Sequence, residues 1–312
     1  MKLKENIELY YDDETHKVVI TGGVRTFLIT DYDRTILNKL LDIETLSSNT
    51  DLGKFLIEKN LVYPDYKQYN KCVSINDRTL LYILDRAYSK QNLSDTDIEE
   101  VLNYPILIIG CGGVGTVVIN NLVQAGFRKI SVVDKDRVEK TNLNRQLLYA
   151  KEDVGKRKIE ILEKKVSKIN SNVELKKYGT YISNKAQLFE ILSKDDYKIV
   201  VNCADTPDNI ESIISEVCSE KGVPVISAYV GLETGTVNPI YDNVNPFNKS
   251  INVEVGRSLK ASISTTNMLT SALLSQIIFD YLFKDIVVTS YDFYASHIIN
   301  FKTMEIKTDV RK

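Results

Sequence analysis

The spacing of hydrophobic residues divides the chain into two parts. Between residues 7 and 30, β-branched and aromatic residues form short runs separated by acidic or glycine-rich turns, which is typical of a three-stranded meander. From residue 33 to residue 60, apolar residues recur every three or four positions, as they do in short helices, and Thr50 provides a helix start. We therefore predict a small α+β module over residues 1–72.

Residues 73–312 alternate between apolar runs and segments with helical spacing. The runs predicted to be strands cover residues 105–109, 129–133, 173–177, 197–203, 223–229 and 234–238. The predicted helices cover residues 76–87, 113–125, 158–169, 185–192 and 262–283, and residues 293–308 alternate as a closing hairpin would. Because strands of a parallel sheet are buried on both faces, continuous apolar runs joined by helices predict an α/β fold with a Rossmann-like doubly wound sheet.

The composition argues against several classes of protein but does not indicate a function. The chain is 43% hydrophobic and 26% charged, with a net charge of −2. The chain has no excess of basic residues that would indicate a nucleic-acid partner. It also has no uncharged apolar stretch long enough to predict a membrane span. The N-terminus becomes acidic within a few residues and lacks the apolar segment of a signal peptide. We expect a cytoplasmic protein with no nucleic-acid or membrane partner.

A glycine-rich turn joins the first strand of the predicted sheet to its helix. Its glycines are Gly110, Gly112, Gly113 and Gly115. Asp134 ends the second strand, 19 residues after Gly115. Glycines let the backbone approach a phosphate, a helix N-terminus offers N–H groups to negative charge, and a strand-end carboxylate accepts hydrogen bonds from ribose. The pattern predicts nucleotide binding.

Further motifs follow the glycine turn in order. They are D-x-D-x-V at residues 134–138, N-L-x-R-Q at residues 142–146 and G-x-x-K at residues 155–158. With these motifs the chain resembles the ThiF and ubiquitin-activating-enzyme-like family, which adenylates carboxylates. The sequence C-A-D-T-P-D-N at residues 203–209 resembles the peptide-modifying branch, which includes the microcin-C adenylating enzyme and pantocin-type enzymes. The resemblance implies the activating-enzyme fold for residues 73–312, with ATP and Mg²⁺ as cofactors.

The resemblance also implies roles for the motif residues. The implied nucleotide-binding residues are Gly110, Gly112, Gly113, Gly115, Asp134, Asp136, Asn142, Arg145, Gln146 and Lys158. Arg145 and Lys158 would neutralise the phosphates as charge develops. Asp134 would hold the ribose, while Asn142 and Gln146 would orient the phosphates and the nearby backbone.

Residues outside these motifs complete the implied catalytic set. Asp205, at the end of the fourth predicted strand, would hold Mg²⁺ on the ATP phosphates; the alternatives are a helix cap and competition from Asp208. Arg78 matches an arginine that reaches the partner subunit's site in the family, although Thr79 stands where the family has glutamine. If the match holds, the enzyme is a homodimer. The alternative is a surface arginine on an amphipathic helix.

The cysteines exclude several uses of the fold. Cys72, Cys111, Cys203 and Cys218 are far apart and form no CxxC pair, so we expect neither a zinc site nor a disulfide framework. None follows residue 230, where relatives that form a thioester carry their cysteine, so thioester chemistry is disfavoured. We predict that Cys111 and Cys218 are small buried hydrophobic residues.

A dehydrogenase would share the glycine turn but not the later motifs. His16 and His297 are the only histidines, and neither stands in a context suited to hydride chemistry. The R-Q and G-x-x-K elements have no role in binding nicotinamide. The dehydrogenase alternative is therefore disfavoured.

The carboxylate to be activated is the open question. Residues 1–72 resemble winged-helix-like modules that recognise leader peptides of ribosomally made natural products, which favours a precursor-peptide substrate that is cyclised, dehydrated or nucleotidylated. A DNA-binding winged helix and an inert packing domain are the alternatives for this module. For the enzyme, the alternatives are adenylation of the C-terminal glycine of a ubiquitin-like sulfur carrier and a degenerate fold that acts as a peptide-binding scaffold. Residues 241–260 are polar and turn-rich, and the resemblance implies a substrate-covering loop there.

Overall fold

The computed structural model describes most of the chain as two compact units. It describes residues 1–4, 7–22, 25–63, 77–87, 95–247, 261–287, 289 and 291–309. The first unit comprises Met1–Ser94 with Asp285–Thr289, and the second comprises Asp95–Lys284 with Ser290–Lys312. The boundary predicted after residue 72, Cys72 itself and most of the predicted covering loop lie outside the described residues.

The first unit contains the predicted meander and short helices. Its elements are β1 (Lys2–Leu3), β2 (Ile7–Asp12), β3 (Lys17–Gly22), β4 (Arg25–Thr30), α1 (Thr35–Leu41), a 3₁₀ helix (Ile43–Thr45), α2 (Asp51–Glu58), β5 (Val62–Tyr63) and α3 (Asp77–Arg86). Strands β2, β3 and β4 form an antiparallel sheet in that order, which confirms the meander. The two-residue strands β1 and β5 pair antiparallel and were not predicted.

The three-stranded sheet has one buried and one exposed face. On the buried face, Val18 and Ile20 pack in a core with Leu40 of α1 and Leu56 of α2. On the other face, Tyr10, Val19 and Leu28 stand opposite one another across the strands. Tyr10 is 53% exposed and Leu28 60% exposed. The meander therefore presents an apolar row to its surroundings.

Helix starts in this unit use short polar side chains, as the sequence indicates. The side-chain oxygen of Thr50 accepts a hydrogen bond from Gly53 N at 3.1 Å and caps α2. The buried Asp31 carboxylate accepts from the backbone N–H groups of Ile36 and Leu37 at the start of α1. Each bond satisfies a donor that the helix itself leaves unpaired.

The second unit contains an eight-stranded mixed sheet. Its elements are α4 (Asp95–Leu102), β6 (Ile106–Ile109), α5 (Gly113–Ala125), β7 (Lys129–Val133), α6 (Lys158–Ile169), β8 (Glu174–Tyr178), α7 (Lys185–Leu192), β9 (Ile199–Asn202), α8 (Ile210–Lys221), β10 (Val225–Val230), β11 (Thr234–Val237), α9 (Ser264–Leu282), β12 (Ser296–Asn300) and β13 (Glu305–Asp309). The strand order is β13-β12-β11-β10-β9-β6-β7-β8. Strands β10, β9, β6, β7 and β8 are parallel, and β11 to β13 are antiparallel. The predicted Rossmann-like fold is confirmed, whereas α4 was not predicted.

The centre of the sheet sets where its functional edge lies. All residues of β6 and β9 are buried, and Ile109 pairs with Asn202 at the ends of the two strands. The residues that follow, Gly110 and Cys203, therefore emerge side by side at the carboxyl edge. In doubly wound sheets, ligands bind at this edge.

Helix α9 packs along α5 and carries polar groups into the contact. Ser271 donates to the carbonyl of Val114 at 3.3 Å, and Asn121 of α5 donates to Ser275 at 3.1 Å. Asn267 and Thr270 are also buried. None of the helices in the described part of the chain is both long and apolar enough to cross a membrane.

Candidate active site

The glycine turn requires glycine at two positions for different reasons. Gly110 has a φ of +92°, and a Cβ there would lie 2.9 Å from the backbone N of Ala204. A Cβ on Gly115 would overlap the carbonyl oxygen of Gly110. Strand β6 can therefore turn into α5 only because both residues lack a side chain.

Each peptide group of the turn is held by a named partner. The N–H of Cys111 donates to Oδ2 of Asp134 at 2.8 Å, and the hydroxyl of Tyr149 donates to the carbonyl of Cys111 at 3.0 Å. The carbonyl of Gly112 accepts from the N–H of Thr116 at 3.1 Å and from its hydroxyl at 2.8 Å. Helix α5 begins at Gly113 without a side-chain cap. Its first N–H groups are thus available to an anion.

The structure brings Asp134, Asp136 and Lys158 together beside the turn. The Lys158 ammonium lies 3.1 Å from Asp136 Oδ2 and 3.9 Å from Asp134 Oδ2. The side chains of Lys158 and Asp134 are 6% and 7% exposed, whereas that of Asp136 is 54% exposed. A short antiparallel bridge between residues 137 and 157 holds them there, since Lys158 N donates to the Asp136 carbonyl at 3.0 Å. A buried positive charge thus stands next to the glycine turn.

In the segment from residue 142 to 146, one side chain stabilises the local turn and another faces the glycine turn. Asn142 is buried, and its Oδ1 accepts from the Glu139 N–H at 3.0 Å, so it holds its own turn. Gln146 is 5% exposed, and its Oε1 accepts no hydrogen bond within the described residues. A Cβ on Gly112 would lie 3.7 Å from Gln146 Nε2. Gln146 therefore lies beside the glycine turn, with its Oε1 available to accept a hydrogen bond from a ligand.

Arg145 is the half-buried cation of this segment. Its guanidinium donates to the carbonyl of Thr141 and to Oδ1 of Asn144, both at 2.9 Å. Asn144 in turn donates to the carbonyl of Ser262 at 2.9 Å, ahead of α9. No carboxylate pairs with Arg145 among the contacts found in the described residues. The charge of Arg145 is therefore available for a ligand.

Asp205 lies at the carboxyl edge, as predicted. Its neighbour Cys203 donates through its N–H to the carbonyl of Ile109 at 2.8 Å, so this segment runs next to Gly110. The carboxylate is exposed and accepts from the Thr206 hydroxyl at 3.1 Å. The alternative of a helix cap is wrong because a turn at residues 207–209 separates Asp205 from α8, whose N-cap residue is Asn209. Asp208 is exposed in that turn.

Other basic residues lie elsewhere or have other partners. Arg78 is an exposed residue of α3, in the first unit. Arg157 is half-buried at the start of α6, and its guanidinium donates to the carbonyl of Gly179, just after β8, at 3.0 Å. Lys156 is exposed, 3.6 Å from Asp153.

The cysteines of the second unit are free thiols, of which Cys203 is half-buried. Cys111 and Cys218 are fully buried, which confirms that prediction. Burial raises the pKa of Cys203 and of Cys218 to about 12, and it raises the pKa of Cys111 well above its usual range. These three thiols stay protonated at neutral pH and are poor nucleophiles. No three His, Cys, Asp or Glu side chains of the described residues are grouped closely enough to hold a metal ion.

Several residues that shape the site were not predicted from sequence. Tyr149 and Thr116 hold the glycine turn, and Asn267 of α9 lies against Gly113, where a Cβ would overlap its Oδ1. Tyr149 stands three residues after Gln146, so an aromatic residue with a hydroxyl next to the motif was the available signal. Thr116 and Asn267 act through contacts that no local pattern shows.

Comparison with known protein sequences identifies a family for most of the second unit. The ThiF family matches residues 84–309. The chain is 36% identical over 145 residues to the adenylyltransferase and sulfurtransferase UBA4 of Kluyveromyces lactis, covering 46% of this chain and 32% of that protein. It is 43% identical over 95 residues to the NEDD8-activating enzyme E1 catalytic subunit of Arabidopsis thaliana, covering 30% and 20%. The chain spans about a third or less of the length of these curated relatives.

Comparison with solved structures extends over the whole chain. The structure of E. coli MccB with ATP superposes with a TM-score of 0.79 at 20% identity, covering 99% of this chain and 96% of that one. PaaA superposes with a TM-score of 0.75 at 21% identity, covering 99% and 100%. These proteins share the fold of both units, including the small N-terminal sheet.

Proposed function

The chain belongs to the ThiF family, and from that premise we propose that it uses ATP to adenylate a carboxylate of a ribosomally made precursor peptide. The supporting observation is that MccB and PaaA match 99% of the chain, including the first unit. MccB is described as a microcin C7 biosynthetic enzyme and has been crystallised with ATP and with MccA. The match to UBA4, in contrast, covers 145 residues.

The proposed nucleotide site uses the turn and the buried pair beside it. The phosphates lie at the uncapped start of α5, where backbone N–H groups and the helix dipole favour negative charge. Asp134 accepts the ribose hydroxyls. Its two oxygens already accept from the N–H groups of Cys111 and Asp136, and each keeps a free lone pair for a further donor. The Asp134 carboxylate is therefore held in place before the nucleotide arrives.

The proposed reaction needs charge and position more than proton transfer. A carboxylate oxygen of the peptide attacks the α-phosphorus, the bond from that phosphorus to the bridging oxygen breaks, and pyrophosphate leaves with the electron pair. The attacking carboxylate is already ionised at neutral pH, so no general base is required. Arg145 and Lys158 approach the α-phosphate and the leaving pyrophosphate and offset the developing charge. Asn142 and Gln146 keep these groups in place.

Mg²⁺ fits the exposed carboxylate of Asp205. This ion typically binds through one or two carboxylates together with substrate phosphates, so a closed cluster of protein ligands is not required. When bound, Mg²⁺ would neutralise the triphosphate and polarise its oxygens. Asp205 would hold the ion, and Arg78 would act on the same phosphates from a second copy of the chain.

We further propose that the first unit holds the leader segment of the precursor. Strands β2 and β4 are the edges of the three-stranded sheet, and an extended peptide can add to such an edge through main-chain hydrogen bonds. A peptide added to β4 would lie beside Leu28 and one added to β2 beside Tyr10, so each edge offers an exposed apolar side chain to the peptide. Affinity then resides in the first unit and chemistry in the second.

Pyrophosphate release by the full chain with Mg²⁺-ATP tests the proposal. The assay is run with and without short peptides encoded beside the gene, followed by mass spectrometry of the peptide. We expect peptide-dependent release and a peptide that has lost water or gained a nucleotide. Leu28→Glu should raise the peptide concentration needed, whereas Met304→Glu, at a comparably exposed apolar residue of the second unit, should not.

Adenylation of a ubiquitin-like carrier is the second candidate, favoured by the sequence identity to UBA4. Pyrophosphate release that requires a ubiquitin-like protein ending in glycine, and that no peptide stimulates, would replace the peptide proposal with this one. Binding of a peptide without release under any condition would leave a peptide-binding scaffold.

A further inference from the structure

The buried hydroxyl of Tyr149 makes one hydrogen bond within the described residues, to the glycine turn. Tyr149 is 6% exposed, and its hydroxyl donates to the carbonyl of Cys111 at 3.0 Å. Burial, with the Cys111 thiol and the carboxylate of Asp134 near it, raises the pKa of Tyr149 far above its usual range. The phenol therefore keeps its proton at neutral pH and donates a hydrogen bond to this carbonyl.

The contact fixes the orientation of one peptide group. A trans peptide is planar, so its C=O and the following N–H point in opposite directions. Because Tyr149 holds the carbonyl of Cys111 inside the protein, the N–H of Gly112 must point the other way. No acceptor among the described residues takes the Gly112 N–H. The hydroxyl thus sets the direction of a free donor that it does not touch.

The peptide groups on either side are held in the same manner. Asp134 accepts from the Cys111 N–H, which leaves the preceding carbonyl, that of Gly110, against Gly115. Thr116 donates to the Gly112 carbonyl, which directs the N–H of Gly113 out of the helix end. Two successive N–H groups, of Gly112 and Gly113, therefore face away from the protein interior. Successive free N–H groups form an anion-binding concavity.

We infer that Tyr149 is a positioning residue that aims the Gly112 N–H at a phosphate of the bound nucleotide. The inference rests on the proposed use of ATP. It assigns the phosphate contact to the Gly112 N–H, whose direction is set by the hydrogen bond from Tyr149 to the carbonyl of the same peptide group. Without the hydroxyl, the peptide between Cys111 and Gly112 can rotate. The loss should appear in the binding of phosphate and not in the binding of the nucleoside.

The experiment compares ATP and adenosine as ligands of Tyr149→Phe by calorimetric titration of the full chain. Removal of one hydrogen bond predicts ATP binding weakened roughly five- to tenfold, with adenosine binding changed by less than about twofold. Tyr197→Phe is the matched control, because Tyr197 is also a buried tyrosine, and its hydroxyl donates to Ser131 at 2.9 Å. The control should leave both affinities unchanged.

The outcomes separate this inference from the proposed function. Equal weakening of ATP and adenosine, or unchanged ATP binding, would overturn the positioning role. Selective loss of ATP affinity in a protein that releases no pyrophosphate would support the role of Tyr149 and contradict adenylation. A wild-type chain that does not bind ATP would overturn both.

Discussion

The candidate active site contains a buried group of side chains and an exposed one, and the two differ in what they hold. The side chains of Asp134 and Lys158 are at most 7% exposed, and Gln146 is 5% exposed. Asp134 contacts both Lys158 and the glycine turn. Arg145, which is half-buried, and Asp205 form the more exposed group, and within the described part of the chain their side chains bond only to neighbours a few residues away. The buried group therefore maintains the shape of the site, whereas the exposed group supplies charge that the fold does not need. Stability and turnover should respond separately to changes in the two groups.

Lys158→Ala should have the largest effect, because it affects both properties. It removes the cation next to the phosphates and leaves the buried Asp134 carboxylate without its ion pair. We expect a loss of turnover on the order of a thousandfold and a loss of about 3 kcal/mol in the free energy of unfolding. Pyrophosphate release and urea unfolding measure the two.

The control for that variant is Lys156→Ala, two residues earlier. Lys156 is 53% exposed by side chain and lies 3.6 Å from Asp153, so its removal should change either quantity little. If Lys158→Ala kept wild-type stability, Lys158 would belong with the exposed group.

Arg145→Ala should reduce turnover while sparing the fold. Its contacts with Thr141 and Asn144 are local, so the free energy of unfolding should change by less than about 1 kcal/mol. Loss of one charged donor predicts a fall in turnover on the order of a hundredfold. Arg137→Ala, which removes an exposed guanidinium bonded to the Gly155 carbonyl, is the matched control. Turnover within about twofold of wild type in Arg145→Ala would contradict its role at the phosphates.

Asp205→Asn should give the smallest effect and one that depends on the metal. The amide keeps one oxygen but loses the charge, so turnover should fall roughly tenfold at low Mg²⁺ and recover as Mg²⁺ is raised. A Mg²⁺ titration of pyrophosphate release measures the shift. Asp208→Asn is the control and also tests the competing assignment. A shift in Asp208→Asn alone would move the metal role to that residue.

The sequence predicted the elements that apolar runs define and missed those that short segments define. Strands β6 and β9 are buried on all sides, so their sequences are unbroken apolar runs. The two residues of β1 are too short to show any period, and α4 covers eight residues in a polar stretch.

In the site, the ordered motifs named Asp134 and Lys158, and the structure brings these two side chains within 3.9 Å of each other. Their roles at the nucleotide stay predictions. The motifs did not reveal that the Asn142 side chain accepts a hydrogen bond from the Glu139 N–H, nor that the Tyr149 hydroxyl donates to the carbonyl of Cys111. Those contacts depend on how a turn is folded in space. A motif shows which residue types occur at which spacing. It does not show which atom of each side chain points into the protein.

The contacts of α9 have a consequence for how the protein can change over generations. A Cβ on Gly113 of α5 would overlap the side chain of Asn267, and a Cβ on Gly235 of β11 would overlap that of Thr270. Two side chains of α9 therefore pack into the space that glycine leaves on two separate elements. A shift of this helix by one turn, about 5.4 Å, would empty both spaces at once. Insertions and deletions within α9 should therefore be rejected, and variation in length should collect between residues 241 and 263. Lineages can then diversify that connection while the glycine turn keeps its alignment.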